Sequence, residues 1–114
     1  MLLASTTTNF KSAFSAFLRD NLDDNELKQE IFKLPQKLEV FNLAIQKAHQ
    51  KQDLELLNKT FHQLAGYSAQ MGLTQLSKHA SYLELQLANN TDICLNKLTI
   101  LCQDSAAEIL KLTN

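Results

Sequence analysis

Phe61-His62-Gln63-Leu64-Ala65-Gly66-Tyr67-Ser68-Ala69-Gln70-Met71-Gly72-Leu73-Thr74-Gln75-Leu76-Ser77-Lys78-His79-Ala80-Ser81-Tyr82-Leu83-Glu84-Leu85, residues 61–85, reads as a helix, a glycine break at Gly72 and a second helix. An α-helix turns ~100° per residue. From Asp53 to Met71 that turn gathers Leu57, Phe61, Leu64, Ser68 and Met71 on one side. His62 points nearly the opposite way, and Asn58, Lys59, Ala65, Gly66 and Ala69 share its side. The imidazole is therefore expected on the wet face of its helix, beside a turn of very small residues.

Glycine inside a helix costs roughly 0.5–1 kcal/mol relative to alanine. An ordinary solvated face would carry Lys, Glu or Gln at position 66. A bare strip beside an exposed imidazole lets another protein, or a phosphoryl group, come close to the ring. The plainer alternative is a surface histidine with a helix-packing glycine next to it, and one helix alone favours that alternative.

The second half of the stretch shifts the balance. His62, Leu64 and Gly66 are followed by Gly72, Leu73, Leu76, Leu83 and Glu84. This order resembles the histidine-containing phosphotransfer (HPt) domains of bacterial and fungal phosphorelays. The resemblance implies that His62 carries a phosphoryl group between receiver-domain aspartates and that Glu84 orients its ring. It also implies an all-α fold, an up-down-up-down four-helix bundle with a short additional N-terminal helix that caps the bundle near the partner-docking surface. Two positions depart from the family pattern. The family usually has lysine three residues after the histidine, where this chain has Ala65, and a small residue where it has Tyr67. Ala65 removes a phosphate-binding cation. Lys59 is then the nearest cation by helical geometry, with Lys78 as the alternative, and restoring a lysine at position 65 is expected to speed phosphoryl uptake.

The bulk composition bounds the rest. A chain of 114 residues, 45% hydrophobic, suits a single domain over 1–114 with one core. Two glycines and one proline argue against long linkers. A net charge of −1, no basic run and no tryptophan give no footprint for nucleic acid. The start, Met1-Leu2-Leu3-Ala4-Ser5, has no basic n-region and is too short for a signal h-region. No stretch approaches the ~18 apolar residues of a membrane span. A cytoplasmic monomer is expected, and the initiating methionine favours a standalone protein over a piece of a hybrid kinase. Cys94 and Cys102 fall in one expected helix, ~12 Å apart along its axis, too far for a disulfide. They read as buried, reduced thiols.

Along the chain, Thr6-Thr7-Thr8-Asn9 offers caps before Phe10, Ala13, Phe14, Phe17 and Leu18, a narrow apolar stripe on a short helix over about 8–19. A long helix over about 24–50 follows, with Leu27, Ile31, Leu34, Leu38, Phe41, Ile45 and Ala48 inward. Pro35 predicts a kink or short break within it. Asp53 caps the histidine helix, about 53–70, which Gly72 ends. The glutamate helix covers about 73–88, with Leu73, Leu76, Ala80, Leu83 and Leu87 inward and Glu84 at the margin. Asn89-Asn90-Thr91-Asp92 closes it and caps a last helix over about 92–112, whose inward set is Ile93, Leu98, Leu101, Cys102, Ser105, Ile109 and Leu112.

The chemistry follows from the pairing. Neutral imidazole attacks through whichever nitrogen lacks the proton. A carboxylate accepting the Nδ1 proton frees Nε2 and stabilises the cation formed when Nε2 takes a phosphoryl group. The chain has no phosphate-binding glycine loop, magnesium-binding carboxylate cluster or ATP motif, so no autonomous kinase activity and no cofactor are expected. Receiver domains of response regulators or hybrid histidine kinases are the expected partners, bringing their own Mg²⁺, and dock on the face of Ala65, Gly66 and Ala69. His49, His62 and His79 offer no i, i+4 ligand pair, so no metal site is expected. His79 falls near an apolar stripe and reads as a packing residue. The rival function is a pseudo-HPt adaptor that binds a receiver or kinase domain without carrying phosphate.

Overall fold

The computed structural model describes residues 25–89 and 92–113. Within them the chain forms four helices and no strand: α1 (Asn25–Gln50), α2 (Leu54–Gln70), α3 (Thr74–Ala88) and α4 (Asn96–Thr113). The helix expected over about 8–19 lies outside the described residues. α2 packs most extensively on α3 and α1 on α4; α1 also packs on α2, and α3 more lightly on α4. Every helix thus touches two others, and all four feed one core.

The apolar stripes account for that core. Leu34, Leu38 and Ile45 of α1, Leu57, Phe61 and Leu64 of α2, Leu76 and Leu83 of α3, and Leu98 and Ile109 of α4 are fully buried. Each such side chain contributes about 1.5–3 kcal/mol of transfer free energy, enough for the stripe rather than local propensity to decide which face turns inward. Between α1 and α4 the contact is partly polar: Gln46 Nε2 donates to Thr99 Oγ1 at 3.0 Å, and that hydroxyl donates to Asn42 Oδ1 at 3.3 Å.

The connections are built from the chain's own capping chemistry. Asp53 accepts from the Leu56 amide at 3.1 Å and caps α2. At the far end of α2, Gly72 takes φ 75°, the Leu73 amide reaches back to the Ser68 carbonyl at 2.8 Å, and the Gly72 amide to Ala69 at 3.2 Å. That is a Schellman closure, with buried Leu73 following the glycine. The same pattern ends α1, but there Gln52 holds the left-handed position at φ 56°, with Asp53 bonded to Ala48 at 2.9 Å and Gln52 to His49 at 3.1 Å.

Three expectations are corrected. α1 runs through Pro35 without a break; Ile31, Leu34 and Leu38 on either side are buried together, and their packing keeps the helix in phase. α4 begins at Asn96, not near residue 92. Ile93 is partly buried, Cys94 exposed and Leu95 buried, the alternation of an extended segment, and the Leu95 carbonyl accepts the first helical bond from Thr99 at 3.0 Å. Cys94 is consequently an exposed thiol outside the helix, whereas Cys102 is buried, its thiol pushed up to about 12 by that burial.

Candidate functional site

His62 and Glu84 come together across the α2–α3 contact. His62 Nδ1 lies 3.1 Å from Glu84 Oε2 and 3.5 Å from Oε1. The imidazole side chain is 78% exposed and the carboxylate 29%. In the tautomer with the proton on Nδ1, that N–H donates to the carboxylate and the Nε2 lone pair is free. The energy of so exposed a pair is small, below about 1 kcal/mol. Its consequence is orientation: one ring nitrogen is held against α3 and the other is left for a reactant.

The carboxylate is placed by the turn at Gly72, which folds α3 back along α2. Ser77, one turn into α3, donates its hydroxyl to the Ala65 carbonyl at 2.8 Å. This bond draws the two helices together directly below the histidine. It also explains a correction. Ala65, expected on the wet face with Gly66 and Ala69, is only 8% exposed. α2 packs on α3 as well as α1, so it buries a wider arc than a single stripe, and Ala65 falls inside that arc. Gly66, Ala69, Lys59 and His62 are exposed.

Gly66 has no packing reason within the described chain: a Cβ built there meets nothing within 4 Å. On α3, Ser81 one turn before Glu84 and Ala88 one turn after it are also small and exposed. Leu85, 63% exposed, borders the strip as an apolar rim.

The remaining candidates stand apart from this pair. His79 is half-buried beside the Tyr82 ring at 5.9 Å, with Nε2 buried and unpartnered. Burial first, and then the Lys97 charge, hold its imidazole below the ordinary range. His49 is exposed at the end of α1. Among the described residues no group of three or more His, Cys, Asp or Glu side chains converges as metal ligands would, and no helix is long and apolar enough to cross a membrane. Comparison with protein-family models, with curated proteins and with solved structures returns no match.

Proposed function

We propose that this chain is a phosphorelay intermediate that carries a phosphoryl group on His62 between receiver-domain aspartates in two-component signalling. The observation that carries the reading is the exposed imidazole fixed through Nδ1 by Glu84 beside a glycine that the fold itself does not require. In the forward step the Nε2 lone pair attacks the phosphorus of an aspartyl phosphate. The bond from phosphorus to the carboxylate oxygen breaks, and the aspartate leaves with that electron pair. The phosphoimidazolium that results keeps its Nδ1 proton and donates it in a hydrogen bond to the ionised Glu84 carboxylate, which offsets the new positive charge. A second receiver aspartate reverses the sequence. The receiver supplies Mg²⁺ and most of the positive charge around the transferring oxygens. The arrangement proposed with this chemistry is an up-down-up-down bundle, monomeric and cytoplasmic, docking receivers through the face of α2 that carries His62, Gly66 and Ala69.

One observation favours the adaptor reading instead. Position 65, where a phosphate-binding lysine is expected in this family, carries a buried alanine, and Lys59 lies a turn before His62 with its side chain tilted away toward the helix N-terminus. Radiolabelled transfer from a phosphorylated receiver separates the two. Under the relay reading the wild type takes up acid-labile label, His62→Gln takes up none, and Glu84→Ala is at least tenfold slower with an unchanged circular-dichroism spectrum. Receiver binding with no label in any variant establishes the adaptor.

A further inference from the structure

A pocket of about 540 Å³ opens between α3 and the start of α4. Gln75, Lys78, His79 and Tyr82 of α3 and Lys97 of α4 line it, and no acidic residue is among them. Lys78, the alternative cation for His62 by sequence, belongs to this pocket instead. It precedes Glu84 by six residues, which sets it ~9 Å back along α3 and ~120° around the helix.

Both lysines lack a counter-charge. Among the described residues Lys37 and Lys111 each pair with a glutamate, at 3.2 and 3.5 Å. Lys78 and Lys97 make no such pair, and neither has Asp or Glu three or four places away along the chain. Lys97 is the second residue of α4, whose first turn holds no acidic side chain, so its charge adds to the positive end of the helix dipole. The remaining lining side chains bring donors. Tyr82 Oη accepts from Gln86 Nε2 at 2.7 Å, which leaves its own O–H to donate, and Gln75 offers an amide. The His79 ring lies 5.9 Å from the Tyr82 ring, and its Nε2 is buried without a partner. A proton on that atom would have no acceptor, so the ring is held neutral at the wall of the pocket.

We propose that this pocket binds a phosphate group, free or at the end of a small phosphomonoester, between Lys78 and Lys97, with Gln75 and the Tyr82 hydroxyl as further donors. A phosphate dianion matches the two uncompensated ammonium groups in charge. Its tetrahedral oxygens accept from donors that arrive off two helices, whereas a carboxylate brings one charge and two coplanar oxygens. His62 and Glu84 take no part, so the site stands or falls separately from the relay reading.

Titrating the full chain with inorganic phosphate at constant ionic strength, followed by NMR, tests the site. The expected result is saturable shifts of the Gln75 side-chain amide and of the Tyr82 and His79 rings, with one dissociation constant that His62 does not share. The charged groups facing His79 are Lys78 on its own helix and Lys97 on α4. A bound anion opposes both, so phosphate should raise the His79 titration midpoint. Lys97→Gln should raise that midpoint without phosphate and leave phosphate little to add. Lys78→Gln with Lys97→Gln should weaken binding by about tenfold or more, and Lys78→Arg with Lys97→Arg should retain it. Glycerol phosphate should compete: tighter binding than inorganic phosphate names an ester as the ligand, and weaker binding names free phosphate. Five results overturn the site: no saturable shift, shifts that persist in the double glutamine variant, shifts centred on His62, acetate binding as tightly as phosphate, or no competition by glycerol phosphate.

Discussion

Replacing Gly66 with alanine adds one methyl group to the middle of α2, and that carbon meets nothing within 4 Å. No neighbour has to give way, so only the backbone term remains, and alanine is favoured there over glycine by ~0.8–1 kcal/mol. Over a domain of this size a gain of ~1 kcal/mol raises the melting temperature by roughly 4 °C or somewhat more. Glutamine at the same position keeps most of the gain, since its propensity lies close to alanine's. Its longer side chain, however, reaches over the strip beside His62. The prediction is a divergence: both variants melt higher than wild type, while Gly66→Gln weakens receiver docking at least tenfold, equivalent to ~1.4 kcal/mol. Thermal unfolding by circular dichroism measures the first part, and titration with a phosphorylated receiver the second. A lower melting temperature for Gly66→Ala would mean the glycine serves packing inside the chain. Undiminished docking by Gly66→Gln would mean a partner does not arrive across this strip.

Further predictions follow from the corrected geometry. Ala65→Lys, expected from sequence to speed phosphoryl uptake, must thread a lysine stem out between α2 and α3; overpacking of this kind costs ~1–3 kcal/mol, so urea unfolding should shift to lower midpoints with no gain in uptake. A longer phosphohistidine lifetime at unchanged stability would refute that placement. Gln52→Gly should stabilise by up to about 1 kcal/mol, because Gln52 holds a left-handed backbone at φ 56° that costs a side-chain-bearing residue ~1–2 kcal/mol, partly offset by the greater entropy of unfolded glycine. An unchanged urea midpoint would argue against strain at that turn. His79 has a lowered folded-state value, so the folded chain binds fewer protons than the unfolded chain; its contribution is complete above pH ~6.5 and is lost as the pH falls through the folded value. His79→Gln should flatten that acid-side slope, and an unaltered slope assigns it to another group.

Much of this architecture was legible because the stripes are clean. Leu57, Phe61 and Leu64, or Leu34 and Leu38, repeat at helical spacing with no competing alternation, and Asp53 and Gly72 punctuate the chain where capping chemistry requires. The failures share a physical origin in tertiary contact. Ala65 is small and gives no hydrophobic signal strong enough to place it; its burial is decided by the approach of α3 and the Ser77 bond. Cys94 was placed in the last helix because Asn89-Asn90-Thr91-Asp92 offers a cap and Ile93 fits its stripe; the burial of Ile93 and Leu95 arises instead from a period of two, indistinguishable over so few residues from the edge of a helical stripe. Pro35 was expected to kink or briefly break α1, and no break forms: the helix runs on with buried residues on both sides. His62 and Glu84 were nameable together only through the family resemblance, whereas the Ser77 bond that draws α3 onto α2 emerges only when the two helices are laid side by side.

Locating the phosphoryl group on one atom tests the proposed relay most directly. Histidine labelled with ¹⁵N in the full chain, incubated with a phosphorylated receiver and examined by ³¹P–¹⁵N correlation, reports which ring nitrogen carries phosphorus. A single coupled site is predicted, Nε2 of His62, with Nδ1 still protonated against Glu84. Phosphorus on Nδ1, on His49 or His79, or on no histidine at all would contradict it.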